Sequence, residues 1–520
     1  MHFTTAPNAR ESARKRPGIA SLRDDNWDDF GFKTVFHLLC NNGSRGINVG
    51  AVKIGFFGME SGRTSLPRSF DALEPGFFSL GMDESYYATL RDEFDDETRV
   101  AIFSGLRDVA YDADLFEQAR SERVMRDSLL RGTDADTVRT QYHRITQGGP
   151  TLSRFHVRYR QKAPAESAPP LTLELTVDPD KNPPSNIHAV IGSNGVGKTR
   201  LLHNIAQTTL APQGRIRDSS LEDRLDHRQH PFTNVVYVSF SAFDSQGPHQ
   251  ARRAINRVGD HVDYQYVGLK TADGAGVKSY ADLVSEFAEC VQRCVEDHPA
   301  KARRWSETLT KLEETDPLFH DLGITGLACS QDRPDPDYIA DGFSLEPAPE
   351  RPDPEEVFHG LSSGHKIVLL TLARLVQHTA ERTLVLIDEP EGHLHPPLLS
   401  TFVRTVSELL RDRNGIALIA THSPVVLQET PREAVWALRR AGDDLRVDHP
   451  EIETFGENVG VITREIFGLE VRRTGFNRLI QSLAEGGMSF EEILTEFHDQ
   501  LGAEGRALAR SATRRREGRL

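Results

Sequence analysis

One octapeptide constrains this chain more than any other feature. GSNGVGKT, Gly192 to Thr199, stands between the apolar run HAVI and the helical pattern RLLHNIAQ. It matches G-x-x-x-x-G-K-[ST] in the strand-then-helix setting that the motif requires. Gly192, Gly195 and Gly197 let the backbone curl so that consecutive N–H groups converge on phosphate oxygens. The helix start adds partial positive charge. Lys198 is placed to reach β- and γ-phosphates, and the Thr199 hydroxyl to ligate Mg²⁺. Ser193, Asn194, Val196 and Arg200 complete the expected cradle, so the expected ligands are ATP and Mg²⁺. A Gly-rich turn with a chance lysine is the bland alternative, and the correctly placed strand and helix argue against it.

LVLIDEPEGHLHPP, Leu384 to Pro397, sets two carboxylates directly after an apolar run. Such a run reads as a parallel strand buried on both faces. Ligands of open α/β sheets bind at the carboxyl ends of such strands. Asp388 is therefore expected beside the phosphate loop, holding Mg²⁺, and Glu389 is expected to polarise the attacking water. By itself the segment also fits a strand ending in a charged turn. Upstream, GLSSGHK (Gly360–Lys366) opens a helical run. Ser362 or Ser363 can cap that helix, and its first N–H groups, with Gly364, form a second anion site. Downstream, IALIATHSP is an apolar strand ending in Thr421, His422 and Ser423, from which His422 can reach a γ-phosphate or the attacking water. The catalytic candidates are thus Glu389, His422 and Lys198.

GSNGVGKT, LSSGH, LVLIDEPEGHLHP and ATHSP, in this order, resemble an ABC-type ATPase over roughly residues 150–430. The resemblance implies an α/β fold: a P-loop head with a largely parallel sheet, antiparallel N-terminal strands, helical insertions and a small helical C-terminal region. It also implies a homodimer or higher oligomer in which each ATP lies between the phosphate loop of one copy and the signature of another. Ser363 and Gly364, with Ser362, then act in trans, and His422 is the switch histidine. The family's magnesium-contacting glutamine is matched only loosely, by Gln246 in SFSAFDSQG. EGHLHP stands where transporters carry an interface aspartate. His395 reads as an interface residue, with a metal-binding His393–His395 pair as the alternative.

The chain has 520 residues, 27% of them charged and 38% hydrophobic, with a formal net charge of −15. No apolar stretch nears the ~18 residues of a membrane span, and the N-terminus has no signal-peptide core, so no membrane contact is expected. Four cysteines without a metal pattern suggest a reducing cytoplasm. Cys290 and Cys294, four apart on a helical pattern, fit core thiols better than a metal site. Residues 506–520 hold six arginines, Arg506, Arg510, Arg514, Arg515, Arg516 and Arg519. They read either as a solvated tail or as a nucleic-acid or partner contact. The expected divisions are a disordered basic segment over 1–25, the first part of the head over 26–244 with a helical insertion at about 70–148, and a helical insertion or linker over 245–355. The signature, carboxylate and switch region follows over 356–430, and a C-terminal α/β and helical region with the Arg-rich tail over 431–520.

DEPExHLHP resembles the branch of overcoming-lysogenisation-defect nucleases and related bacterial defence ATPases. The residues after Ser423 lack the acidic cluster of a Toprim nuclease, so the chain is not expected to be a nuclease itself. The gap between loop and signature is too short, and lacks the heptads, for the arms of a chromosome-organising ATPase. DDNWDDFGFKTVFHLL, FFSLGMDESYYATLRDEF and ETFGENVGVITREIFGL look like the ATPase subunit of Septu-type antiphage systems, including retron-associated ones. That resemblance implies a separately encoded HNH-type nuclease partner, with DNA or retron RNA/msDNA as a possible nucleic acid. A nucleotide-sensing module with little turnover and a DNA-bound repair clamp remain as other readings.

Overall fold

The computed structural model describes residues 1–6, 9–149, 151–163, 169–211, 214–225, 230–241, 262–271, 274, 276–296, 299–329, 351–441, 444–472 and 475–516. Gln246 and the Pro- and Asp-rich stretch 330–350 lie outside them.

The centre is a seven-stranded sheet in the order Asp263–Gly268, Asn234–Ser239, Thr383–Asp388, Ile416–Thr421, Ile187–Ile191, Val435–Ala441, Asp444–Asp448. All neighbours are parallel except the last pair. Alternate side chains of one strand serve two cores, as the two-residue period requires. Val385 and Ile387 join a core of helices that includes Phe287, Trp305, Val368 and Phe402. Leu384 and Leu386 face the other way, onto Leu201 and Ile205 of the helix Lys198–Thr209. Over that helix lies a four-stranded antiparallel sheet built on Phe155–Gln161, Leu171–Val177 and Ser219–Asp223. The apolar runs therefore end inside a doubly covered sheet, the P-loop head expected from the sequence. The strand carrying His422 lies between the strand of the phosphate loop and the strand of the two carboxylates.

Three expectations are corrected. Residues 1–25 are not unstructured: His2–Thr4 and Ile19–Asp24 are strands, and Ala9–Lys15 is a helix. Residues 1–149 are not an early part of the head with an insertion at 70–148. They form a separate six-stranded sheet, with helices such as Glu84–Glu93 and Asp96–Leu106 packed on it around a core running from Phe3 to Ile145. Residues 245–355 are not solely insertion or linker. Asp263–Gly268 is an edge strand of the central sheet, and the helices Tyr280–Glu296 and Pro299–Thr315 cover its face beside Ser363–His378. Local periodicity finds strands and helices but not their sheet, because sheet membership depends on long-range pairing.

The N-terminal unit meets the head at the starts of two central strands. Glu381 takes hydrogen bonds from Thr140 at 2.6 Å and Arg144 at 2.9 Å, and from Asn414 at 3.2 Å. Glu84 pairs with Arg413 at 2.9 Å, both side chains buried. At the C-terminus, helices Gly475–Glu485, Phe490–Glu496 and Ala503–Arg516 surround Ile480, Ile493 and Ala509. The Arg-rich segment is thus helical to Arg516, and Arg510 lies over the Phe490 ring. Cys290 and Cys294 are buried core thiols, and burial pushes Cys290 up to about 11.

Candidate nucleotide site

The loop Gly192–Thr199 leaves its strand and enters the helix that starts at Lys198. Gly195 and Gly197 have φ of +74° and +113°, a region that side-chain-bearing residues rarely adopt. A Cβ on Gly192 would stand 2.6 Å from the Leu438 carbonyl oxygen, so the loop is seated against the neighbouring strand. Such a cradle leaves the loop's N–H groups turned to one side.

Lys198 Nζ lies 3.1 Å from the Gly192 carbonyl oxygen and beside Nε2 of the His422 ring. Thr199 Oγ1 donates to Asp388 Oδ1 at 3.1 Å. A hydroxyl beside a buried carboxylate is the donor set that Mg²⁺ takes up with phosphate oxygens. Glu389 follows in the left-handed region, at φ +48°, with its N–H on the Ala420 carbonyl at 2.9 Å. That turn points its carboxylate away from Asp388 toward His422, whose Nε2 is 3.1 Å from Glu389 Oε1. Lys198, Thr199, Asp388, Glu389 and His422 therefore meet at the ends of three adjacent strands. The residues fit a nucleoside triphosphate with Mg²⁺.

Sequence reasoning missed Glu391. Its carboxylate accepts the backbone N–H of His422, while its second oxygen is buried and hydrogen-bonds to none of the described residues. Glu391 thus anchors the switch strand end to the turn after the carboxylates, and the second glutamate of DEPE was its only signal. A cleft of about 110 Å³ beside the loop, lined by Gln161, Val196, Gly197, Arg200, Arg440 and Arg446, also went unnoticed. Its walls come from three separate segments, which only folding brings together.

The signature lies at the start of helix Ser363–His378. Ser362 is its N-cap, and Ser362 and Ser363 are exposed. Gly364 is buried, and a Cβ there would stand 2.7 Å from the His393 carbonyl oxygen. Its contribution is a close approach to the turn after the carboxylates. His395 caps helix Pro396–Arg411 by accepting from Leu398 N at 3.1 Å, and His393 Nε2 lies 3.4 Å from the Phe240 carbonyl. Among the described residues no group of three or more His, Cys, Asp or Glu side chains could hold a metal ion, so the paired-histidine alternative has no third ligand there.

His188 braces the strand that leads into the loop. Its Nε2 donates to the Thr176 carbonyl at 3.2 Å, and Trp436 Nε1 donates to its Nδ1 at 3.4 Å. Both bonds suit the neutral ring, and burial pushes His188 down to about 4. As pH falls from about 6.5 the unfolded chain takes up a proton that the folded ring refuses. Stability is therefore present above that value and is lost down to about 4. His188→Gln, which can make both bonds without titrating, is expected to flatten the fall in thermal midpoint between pH 7 and 5. The difference over that interval is on the order of 2 kcal/mol. Parallel melting curves for the two proteins would refute this.

A family model described as "AAA domain, putative AbiEii toxin, Type IV TA system" matches residues 341–428. Protein ea59 of Escherichia phage lambda is 36% identical over 508 residues, covering 96% of this chain and 95% of that protein. Among solved structures, the SMC head domain from Thermotoga maritima is 12% identical at a TM-score of 0.27, covering 58% of this chain and 100% of that one. cbiO1 from Clostridium perfringens, part of the ABC transporter complex cbiONQ, is 14% identical at 0.29, covering 63% of this chain and 98% of that one.

Proposed function

We propose an ATP-driven regulatory role for this chain, which belongs to the family of Protein ea59 of Escherichia phage lambda. The convergence of Lys198, Thr199, Asp388, Glu389 and His422 carries the reading. Lys198 and the loop N–H groups hold the β- and γ-phosphates, and the cleft along Arg200, Arg440 and Arg446 takes the nucleoside end. Thr199 and Asp388 hold Mg²⁺, which when bound neutralises charge on the phosphates. Glu389 accepts a proton from water as the water oxygen bonds to the γ-phosphorus. The bond from that phosphorus to the bridging oxygen breaks, giving ADP and phosphate. His422 holds the Glu389 carboxylate in place. Ser362 and Ser363 of a second copy close over the γ-phosphate.

The finer part of the proposal is that this cycle controls a separately encoded HNH-type nuclease in antiphage defence. Its support is the Septu-like segments at both ends of the chain, together with a head whose chemistry is directed at phosphates. Purified protein with ATP and Mg²⁺ is expected to release phosphate. Lys198→Ala should lower turnover by about 10²-fold or more. Duplex DNA should survive the chain with Mg²⁺ alone, and be cut in a nucleotide-dependent manner once the nuclease is added. Cutting by the chain alone would overturn the regulatory reading, and turnover indifferent to Lys198 would overturn the site.

A further inference from the structure

A line of hydrogen bonds enters the signature turn from the helical layer. Ser362 Oγ, the cap of helix Ser363–His378, is 2.5 Å from Nδ1 of His365 and accepts from the His365 backbone N–H at 3.5 Å. On the far side of the same ring, Nε2 lies 3.1 Å from Asp316 Oδ1. Asp316 is itself fixed, since it caps helix Pro317–Leu322 by accepting from Leu318 N at 2.9 Å and Phe319 N at 3.3 Å. The His365 and Asp316 side chains are only 9% and 10% exposed. The Phe319 ring meets the imidazole edge-on at 4.8 Å, and the His395 ring stands 6.1 Å away.

The chemistry gives this line a direction. An ionised carboxylate can only accept, so Nε2 donates to Asp316, and this sets the ring's orientation. Nδ1 is then held against Ser362, whose hydroxyl is caught between ring and backbone and loses its freedom to rotate. Hydrogen bonds to charged groups in a water-poor setting are the stronger ones. A carboxylate from the covering helices thus fixes an exposed hydroxyl at the start of the signature helix.

We infer that His365 is a positioning residue: held by Asp316, it fixes the Ser362 hydroxyl and first signature turn in the geometry presented to the nucleotide of a second copy. The inference rests on the ATP-sandwich reading above and adds to it that the helical layer governs the trans half of the site. This line runs from the covering helices to the start of the signature helix, so nucleotide capture and turnover should separate.

His365→Leu keeps bulk beside Phe319 and removes both bonds. His365→Gln retains one acceptor for Ser362 and one donor for Asp316. For the Leu variant, kcat at saturating ATP is expected to fall about 10- to 100-fold. Its Kd for a fluorescent ATP analogue should stay within about two-fold of the parent, and His365→Gln should recover turnover to within about three-fold. Asp316→Asn, which still caps its helix, should fall between the two. Parental kcat in the Leu variant, equal impairment of the Leu and Gln variants, or a loss of affinity with kcat retained would each overturn the inference. Lys198→Ala, run alongside, separates the failures. If parental turnover does not depend on Lys198, the site reading falls and this inference falls with it; if it does depend, the His365 variants judge the inference alone.

Discussion

Replacing Glu389 by Gln is expected to lower ATP turnover by about 10²- to 10⁴-fold and to leave nucleotide affinity nearly unchanged. The geometry separates the two effects. Glu389 follows the strand end in a left-handed turn that carries it off the Thr199–Asp388 pair and onto His422. The amide keeps the shape and a hydrogen bond to the His422 ring but cannot take a proton from water. ATP should therefore persist, and the variant should accumulate as a nucleotide-bound dimer, seen as a shift in mass on size-exclusion with light scattering. The same variant distinguishes an engine from a sensor. Negligible phosphate release in the parent, unchanged by the substitution, would favour a chain that reads nucleotide state without consuming it.

The placement of Gly192–Thr199, Asp388, Glu389 and His422 at strand ends was legible because each position is fixed locally. An apolar run predicts a buried strand, its end predicts a ligand position, and glycines at positive φ predict a turn that encloses an anion. The apolar run that begins at Leu384, expected to be a buried parallel strand, lies in the strand Thr383–Asp388. What stayed hidden depends on residues far apart in sequence. Glu391 gains its meaning only when the His422 backbone arrives beside it. The sheet of the hairpin Val35–Asn41 and Gly46–Phe56 also includes His2–Thr4 and Ile19–Asp24, from the segment expected to be disordered. Nothing in a short charged stretch announces that two of its strands complete another sheet.

Arg413→Ala is expected to destabilise the protein by about 3–5 kcal/mol, because it strands a buried carboxylate. Glu84 is drawn from the helix Glu84–Glu93 of the N-terminal unit, and Arg413 from the turn preceding the strand Ile416–Thr421. Their side chains are 9% and 5% exposed and 2.9 Å apart. Arg304 adds a second positive charge beside Glu84, and burial pushes that guanidinium down to about 10. Burial raises the Glu84 carboxyl, but the opposing pull of Arg413 and Arg304 leaves it below its ordinary range. Removing Arg413 leaves Glu84 either charged without its nearest partner or protonated at a cost. The double substitution Glu84→Leu with Arg413→Met replaces the pair by apolar groups of similar size and should recover most of the loss. Chemical denaturation followed by intrinsic fluorescence reads both. The junction also has a catalytic side. Glu381 and Arg413 stand at the starts of the strands that lead into Glu389 and His422, so the N-terminal unit grips the two elements that carry the proposed base and its partner. Under conditions where Arg413→Ala remains folded, kcat should fall further than nucleotide affinity. A variant that loses stability yet turns over at the parental rate would confine the junction to holding the two units together.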